Sequence, residues 1–312
     1  VKDESGKIIR DNIWGTLEQD TFRRDFTINA LYYCPTSKKI EDSNNGLQHI
    51  NKGLIVSIGD PQKRFAEDPV RCLRAIRFSN KLSFKIDNQI KEAIYKKGHL
   101  LANISNARLF DEFCKIFLNG YAEKNFNKLS IFGLNKYLLL TGINQNQFSG
   151  KLIQESLRNT DKRYINNQSV TPGFLVAALL WPVVIESCKS NNQINLRKFF
   201  RGMDKILRNQ QNLTAIPRKF HSYIKDIWVL QLKLHSRIGK QPYKTLKHPR
   251  FRAAYDLLLI REKVSEKQMR LGKWWTDFQK NNDSLRKDLI EDLKNKKEKE
   301  SFKTFGFSKE LI

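Results

Sequence analysis

From Asp60 onward the apolar residues recur at helical spacing and keep doing so as far as residue 281. Helices are predicted over 67–83, 87–97, 106–119, 121–130, 148–158, 173–188, 195–209, 217–237, 249–264 and 267–281. The breaks are set by Gly98, Gly120, Gly133, Gly142, Pro172, Gly239 and Pro242. In the first helix Val70, Leu73, Ile76 and Phe78 lie near one face, and Asp68-Pro69 supplies the start signal. The run from Gly173 to Ile185 is apolar on every side, which predicts a central helix buried all round, with a kink at Pro182. Residues 1–58 differ. They mix polar turns with short apolar runs at Phe26 to Tyr33 and Leu54 to Ile58, the pattern of the end of an α/β unit with too few strands for a complete sheet. Residues 281–312, rich in Lys, Glu, Asn and Asp, read as a solvated helix or a disordered tail.

Charge sharpens this picture. Across 312 residues, 57 Lys+Arg face 32 Asp+Glu, a formal net charge of +25. An excess so large and so widely spread points to a polyanionic partner, RNA or DNA before a membrane surface. No apolar run is long enough to span a bilayer, and no signal peptide is evident. Cys34, Cys72, Cys114 and Cys188 form no Cys-x-x-Cys pair, which suits reduced thiols in the cytoplasm. The five histidines lack metal-ligand spacing as well.

The candidate chemistry gathers on the first helix. Arg71, Arg74 and Arg77 recur every third residue, and three guanidiniums on one stripe call for an anion along them, a nucleoside triphosphate or an RNA backbone. Glu67 and Asp68 beside Arg71 set acceptor carboxylates one turn from a donor fork, a pair able to read the edge of a base. The plainer alternative is an amphipathic helix whose arginines pair with local acids. Further on, Arg218-Lys219 and Arg250-Phe251-Arg252 interleave basic and aromatic residues, with Trp228, Trp274 and Trp275 nearby. That mixture suits RNA, since arginine holds phosphate while rings stack on bases. Trp228 and one of the Trp274/Trp275 pair are expected in the core.

A second motif, Arg23-Arg24-Asp25-Phe26-Thr27-Ile28-Asn29-Ala30-Leu31, precedes Glu67-Asp68-Pro69-Val70-Arg71-Cys72-Leu73-Arg74-Ala75-Ile76-Arg77-Phe78. Either alone is moderately specific; in this order and spacing they resemble the class II nucleotidyltransferases, the bacterial poly(A) polymerases and CCA-adding tRNA enzymes. The resemblance covers nearly all of the chain and implies a mainly α protein. In it the C-terminal part of an α/β nucleotidyltransferase head (1–58) is followed by an all-helical neck (59–135), a helical body and RNA-binding domain (136–281) and a basic, flexible tail (282–312). It implies repeated, template-independent transfer of AMP from ATP to RNA 3′ ends, releasing pyrophosphate and using Mg²⁺ or Mn²⁺. Asp25 matches the family's third metal-binding carboxylate, Arg24 a triphosphate or ribose contact, and Asn29 a sugar contact. Glu67, Asp68 and Arg71 match the base-reading template, and Arg74 and Arg77 fall where nucleotide phosphate is held. Arg218, Lys219, Arg250 and Arg252 are expected to touch RNA.

The family's first two metal ligands form an Asp-x-Asp pair after a Gly-Ser turn. No two aspartates here stand two apart, and no Gly-Ser occurs. The pair is therefore expected upstream of Val1, and this polypeptide alone is expected to bind RNA but extend it poorly. Where the family has Gly-x-x-Asp-Leu, this chain reads Gly46-Leu47-Gln48-His49-Ile50. The stretch 217–278 resembles the C-terminal region of poly(A) polymerases, favouring that branch over the CCA-adding one. A non-catalytic RNA-binding module is the reading from another class. The resemblance further implies a cytoplasmic monomer serving mRNA processing, RNA decay and transcription, with RNA-decay or RNA-chaperone proteins as partners.

Overall fold

A computed structural model describes residues 15–140, 147–190, 193–265 and 270–295, in two compact units, Val1–Ile104 and Ser105–Ile312. The division falls inside the expected 59–135 neck. The predicted break at Gly142 and the tail beyond residue 295 lie outside the described residues.

In the first unit, Thr16 and Gln19 form a reciprocal cap for α1 (Leu17–Arg23). A 3₁₀ turn, Thr27–Asn29, then leads to the antiparallel pair β1 (Tyr32–Cys34) and β2 (Lys39–Glu41), registered Tyr33 on Ile40. In α2 (Gly46–Asn51), Asp42 accepts the N–H groups of Gly46 and Leu47 at 2.7 and 2.9 Å. β3 (Leu54–Ile55) follows. Gly46 is a packing requirement, because a Cβ there would lie 2.5 Å from the Thr27 carbonyl oxygen.

The helix expected over 67–83 starts just after Asp68-Pro69, and a short helix that was not expected precedes it. Asp60 caps α3 (Pro61–Glu67) by accepting from the Gln62 N–H, Asp68 takes a non-helical backbone (φ −140°, ψ 89°), and α4 (Val70–Leu82) begins afresh. The cause is Pro69, whose ring disfavours the α conformation in the residue before it. Val70, Leu73 and Ile76 are buried as expected; Phe78 is only half-buried, with its ring edge-on to Phe26. β4 (Lys85–Ile86) pairs in parallel with β3, and α5 (Asn88–Lys97) and a 3₁₀ turn (Gly98–Asn103) close the unit.

The second unit is helical. It comprises α6 (Asn106–Phe117), α7 (Ala122–Ile131), α8 (Gln147–Ile165), α9 (Pro172–Cys188), α10 (Leu196–Gln211), α11 (Lys219–Lys233), α12 (Gln241–Leu246), α13 (Phe251–Val264), α14 (Leu271–Lys280) and α15 (Asp283–Asn295). Its strand content among the described residues is the small hairpin β5 (Lys189–Ser190) with β6 (Gln193–Ile194). α9 is the axis of this unit, packed by α8, α10 and α11, and its residues from Gly173 to Trp181 are all buried. Pro182 lies inside it.

Trp228 is fully buried and donates to the Ala177 carbonyl at 2.9 Å. Trp274 and Trp275 are both core, not one of them, and Trp275 donates to the Leu234 carbonyl at 2.8 Å. The expectation of a solvated tail from 281 is corrected in part: α15 sends Ile290 and Leu293 into the same cluster as Trp274, Trp275 and Phe278. No helix among the described residues is long and apolar enough to cross a membrane.

Candidate functional site

The two motifs of the first unit meet through one ion pair. Arg74 Nε donates to Asp25 Oδ2 at 2.5 Å, across 49 residues of chain. The other carboxylate oxygen accepts from the Phe26 N–H at 2.9 Å and from Asn29 Nδ2 at 3.0 Å. Burial drives the Asp25 carboxyl upward; the hydrogen bonds from Arg74 and Asn29 and the charge of Arg74 outweigh it and hold the group below the usual carboxylate range. Its segment is placed by backbone pairing, since Ile58 N–H donates to the Asp25 carbonyl and Thr27 N–H to that of Val56.

A row of polar groups extends from this pair. Arg24 donates to Asp20 at 2.9 Å, to the Tyr32 hydroxyl at 2.9 Å and to the Asn29 carbonyl at 3.0 Å, with its guanidinium 4.9 Å from the Tyr32 ring centre. Hydrogen bonds from Tyr32, then Arg24 and Arg23, hold the Asp20 carboxyl down at about 2. On the other side, Arg74 and Arg77 lie over the Phe78 ring at 5.3 and 4.6 Å. Stacking on one ring brings two cations together beside a half-exposed aromatic face.

Arg71 is placed differently. It is 9% exposed, and its Nη1 and Nη2 donate to the carbonyls of Arg64 and Arg23 at 3.4 and 3.3 Å. Arg64 works alongside it, donating to the Phe22 and Arg24 carbonyls at 2.9 and 2.8 Å. Two guanidiniums thus occupy carbonyls at the end of α1, where the helix leaves acceptors unsatisfied and the dipole is negative. Burial first, and then the charge of Arg64, lower the Arg71 pKa. Glu67 sits at the end of α3, paired with Arg64 at 2.9 Å, and Asp68 accepts from the Val70 N–H at 3.2 Å. The stripe Arg71, Arg74, Arg77 is therefore split between the backbone of α1, Asp25 and the Phe78 ring. Sequence reasoning passed over Asp20, Tyr32 and Arg64. The spacing of Asp20 to Arg24 on α1 was a usable signal, whereas the carbonyl acceptors of Arg64 leave none.

The implied divalent metal does not find a complete centre here. Both oxygens of Asp25 are engaged by donors, and among the described residues no three His, Cys, Asp or Glu are grouped to hold an ion. In place of the absent acid of Gly46-Leu47-Gln48-His49-Ile50, His49 Nδ1 meets the Thr27 hydroxyl at 3.0 Å, tying α2 to the Asp25 segment.

In the second unit the four expected RNA-binding residues are all exposed, at neighbouring helix starts. Arg218 precedes α11, and Lys219 lies 5.2 Å from the Phe220 ring. Arg250 sits 4.8 Å over Tyr223 of the same helix, so α11 and the start of α13 share one basic and aromatic face. Arg252 pairs with Asp256 at 3.0 Å.

Three family models match. The model described as the poly A polymerase head domain covers residues 2–56; that of a probable RNA and SrmB-binding site of polymerase A covers 83–142; and that of the polymerase A arginine-rich C-terminus covers 192–305. The chain is 37% identical over 301 residues to poly(A) polymerase I of Escherichia coli and 36% identical over 297 to that of Haemophilus influenzae, spanning 93% and 92% of itself. It spans about two thirds of those relatives' length, 65% and 66%. To a CCA-adding enzyme of a Geobacillus species it is 38% identical over 132 residues, 42% of this chain and 32% of that enzyme. Among solved structures, a Bacillus stearothermophilus CCA-adding enzyme in complex with CTP shares the fold at TM-score 0.52 and 23% identity, over 94% of this chain and 61% of that one. A tRNA nucleotidyltransferase complexed with a primer tRNA and an incoming ATP analog does so at 0.59 and 18%, over 85% and 74%.

Proposed function

The chain belongs to the poly(A) polymerase family, and from that premise we propose that it carries the nucleotide-reading and RNA-holding parts of a template-independent adenylyltransferase, one that adds AMP from ATP to RNA 3′ ends. The observation behind this reading is the Asp25–Arg74 ion pair, which joins the two motifs into one polar row in a chain similar along 93% of its length to poly(A) polymerases.

On this reading Arg74 and Arg77, stacked on Phe78, hold nucleotide phosphate, and Arg24 with Asn29 holds phosphate or ribose. Asp68 accepts from the adenine amino group, and Arg71, whose guanidinium has three N–H groups beyond the two given to the Arg64 and Arg23 carbonyls, donates to a ring nitrogen, with Glu67 orienting Arg64. Asp25 keeps Arg74 aimed. Asp25 would be one carboxylate ligand of a divalent metal, which would supply a lower pKa at the attacking hydroxyl and charge to offset the leaving pyrophosphate; the described residues do not make a complete centre for it. Arg218, Lys219, Arg250 and Arg252 track the RNA backbone, Mg²⁺ or Mn²⁺ serves as cofactor, and the process is RNA processing and decay in the cytoplasm. Residues 83–142 match a model named for RNA and SrmB binding, which supports a protein partner from RNA metabolism on that segment.

The partial similarity to a CCA-adding enzyme supports the second reading, in which CTP is used as well and the acceptor is tRNA. Nucleotide choice decides between them. ATP is expected to protect the 61–82 backbone from hydrogen exchange more than CTP does, and Arg71→Ala to erase that preference with little effect on RNA affinity. Equal protection by ATP and CTP would favour the CCA-adding reading. A loss of RNA binding in Arg71→Ala with ATP preference intact would remove the base-reading role.

A further inference from the structure

The helix α10 divides sharply into two faces. Phe199, Met203, Ile206, Leu207 and Gln210 are buried, with Phe199 edge-on to Trp181 of α9 at 6.3 Å. The opposite face exposes Arg197, Lys198, Arg201, Lys205 and Arg208, and its one acid is Asp204. That acid is taken sideways by Lys225 of α11, at 2.5 Å. Among the described residues none of the five cations has a carboxylate partner, whereas Arg158, Arg163, Arg252 and Arg286 elsewhere in the unit are all paired.

These cations are also close to one another. Arg197 with Arg201 and Arg201 with Lys205 stand four apart, and Lys198 with Arg201 and Lys205 with Arg208 stand three apart. Like charges at those spacings work against a helix unless an anion lies along them. At 3.6 residues per turn, Arg197, Arg201 and Arg208 fall within about 40° of arc, a row about 16 Å long. On the Asp204 side of that row lies Phe200, 48% exposed, with the Phe199 ring at 5.7 Å and 80° to it.

The cations alone would suit any polyanion, an acidic peptide included. The exposed ring narrows the choice, because a splayed base can stack on it while arginine holds the neighbouring phosphate; the bases of a duplex are already stacked on each other. We propose that the outer face of α10 holds single-stranded RNA, with phosphates along Arg197, Arg201 and Arg208 and one base stacked on Phe200. Because α11 carries both Lys225 and the Lys219 and Tyr223 of the basic and aromatic face, the two surfaces adjoin on one helix. Stacking of this kind accepts any base, so the contact grips RNA away from the adenine-reading site without choosing its sequence. This rests on the reading of the second unit as an RNA holder.

The test measures affinity of the 312-residue chain for single-stranded and duplex RNA of equal length, across salt. Phe200→Ala is expected to weaken the single strand about 10-fold, the loss of one stacked base, and to leave duplex affinity and the salt slope unchanged. Phe200→Trp should keep wild-type affinity, which separates stacking from a packing defect. Arg197→Gln, Arg201→Gln and Arg208→Gln together should lower the slope of log affinity against log salt by about 2, three contacts at about 0.7 each. In the unaltered chain, single-stranded RNA should shield Lys198 and Lys205 from an amine-acylating reagent. Equal weakening of single strand and duplex by Phe200→Ala would overturn the stacked base. Unchanged affinity and slope in all variants, with both lysines still open to the reagent, would overturn the α10 contact and leave the RNA-holding reading standing. No RNA binding by the wild-type chain would overturn both.

Discussion

Replacing Arg74 by alanine tests the contact on which the candidate site is built. The substitution removes the Nε donor at 2.5 Å and leaves the carboxylate of Asp25, 7% exposed, with only the Phe26 N–H and Asn29 as donors. Breaking one side of a buried pair costs about 3–5 kcal/mol. Arg74 itself is 30% exposed, so water can enter where it stood, and the expected loss lies near the lower bound, about 3 kcal/mol. Hydrogen exchange of peptides from α4 reads this directly: protection should fall roughly 150-fold near pH 7. The pH dependence fixes the cause. In the wild type the lowered Asp25 pKa contributes stability that is present above the unfolded value and lost as pH falls through the folded one. Without Arg74, burial is left as the largest influence and raises the carboxyl, so acidification should relieve the variant and narrow the gap at pH 4.5. Asp25→Asn with Arg74→Ala should cost clearly less than the two single losses added. A coupling below about 0.5 kcal/mol, or a gap that does not change with pH, would refute the pairing as the joint between the motifs.

Three further outcomes follow from other parts of the chain. Burial, with the charges of Arg261 and Arg237, pushes His235 down to about 3, so its contribution is full above pH 6.5 and drains away as pH falls from there toward 3, at up to about 1.4 kcal/mol per pH unit; His235→Gln should flatten the urea midpoint between pH 7.5 and 5.5, and parallel curves would contradict this. Removing Arg218, Lys219, Arg250 and Arg252 together should lower the salt slope of RNA affinity by about 3, four contacts at about 0.7 each on a single strand; an unchanged slope would place the RNA elsewhere. Gly46→Ala should destabilise the first unit by more than about 1 kcal/mol, because the Thr27 carbonyl, 2.5 Å from the new Cβ, belongs to the backbone and cannot swing aside; a melting temperature unchanged from the wild type would show that α2 can shift.

The helical half was legible because its periodicity is strong. α9 is apolar on all sides, and that alone placed it at the centre. The start of α4 was readable from Asp68-Pro69, whereas α3 was not expected: seven residues give too few turns for a periodicity, and its signal is the Asp60-Pro61 cap alone. α15 was hidden by its composition: the charges flanking Ile290 and Leu293 dominate a local average, yet those two positions face the tryptophan cluster. Within the candidate site the residues Asp25 and Arg74 could be chosen from the motifs, but their contact spans 49 positions and no local pattern encodes it. Arg71 shows a further limit. Its place on the stripe was readable, while its turn toward main-chain oxygens, which any residue supplies, was not.

The grip of Arg64 and Arg71 on the carbonyls of Phe22, Arg23 and Arg24 makes the path of the chain, rather than the side chains along it, the thing recognised. Position 23 should then tolerate many replacements, while one residue inserted between Phe22 and Asp25 would move the oxygens out of step with both clasps and carry the carboxylate away from its arginine. Changes in spelling are forgiven there; changes in length are not.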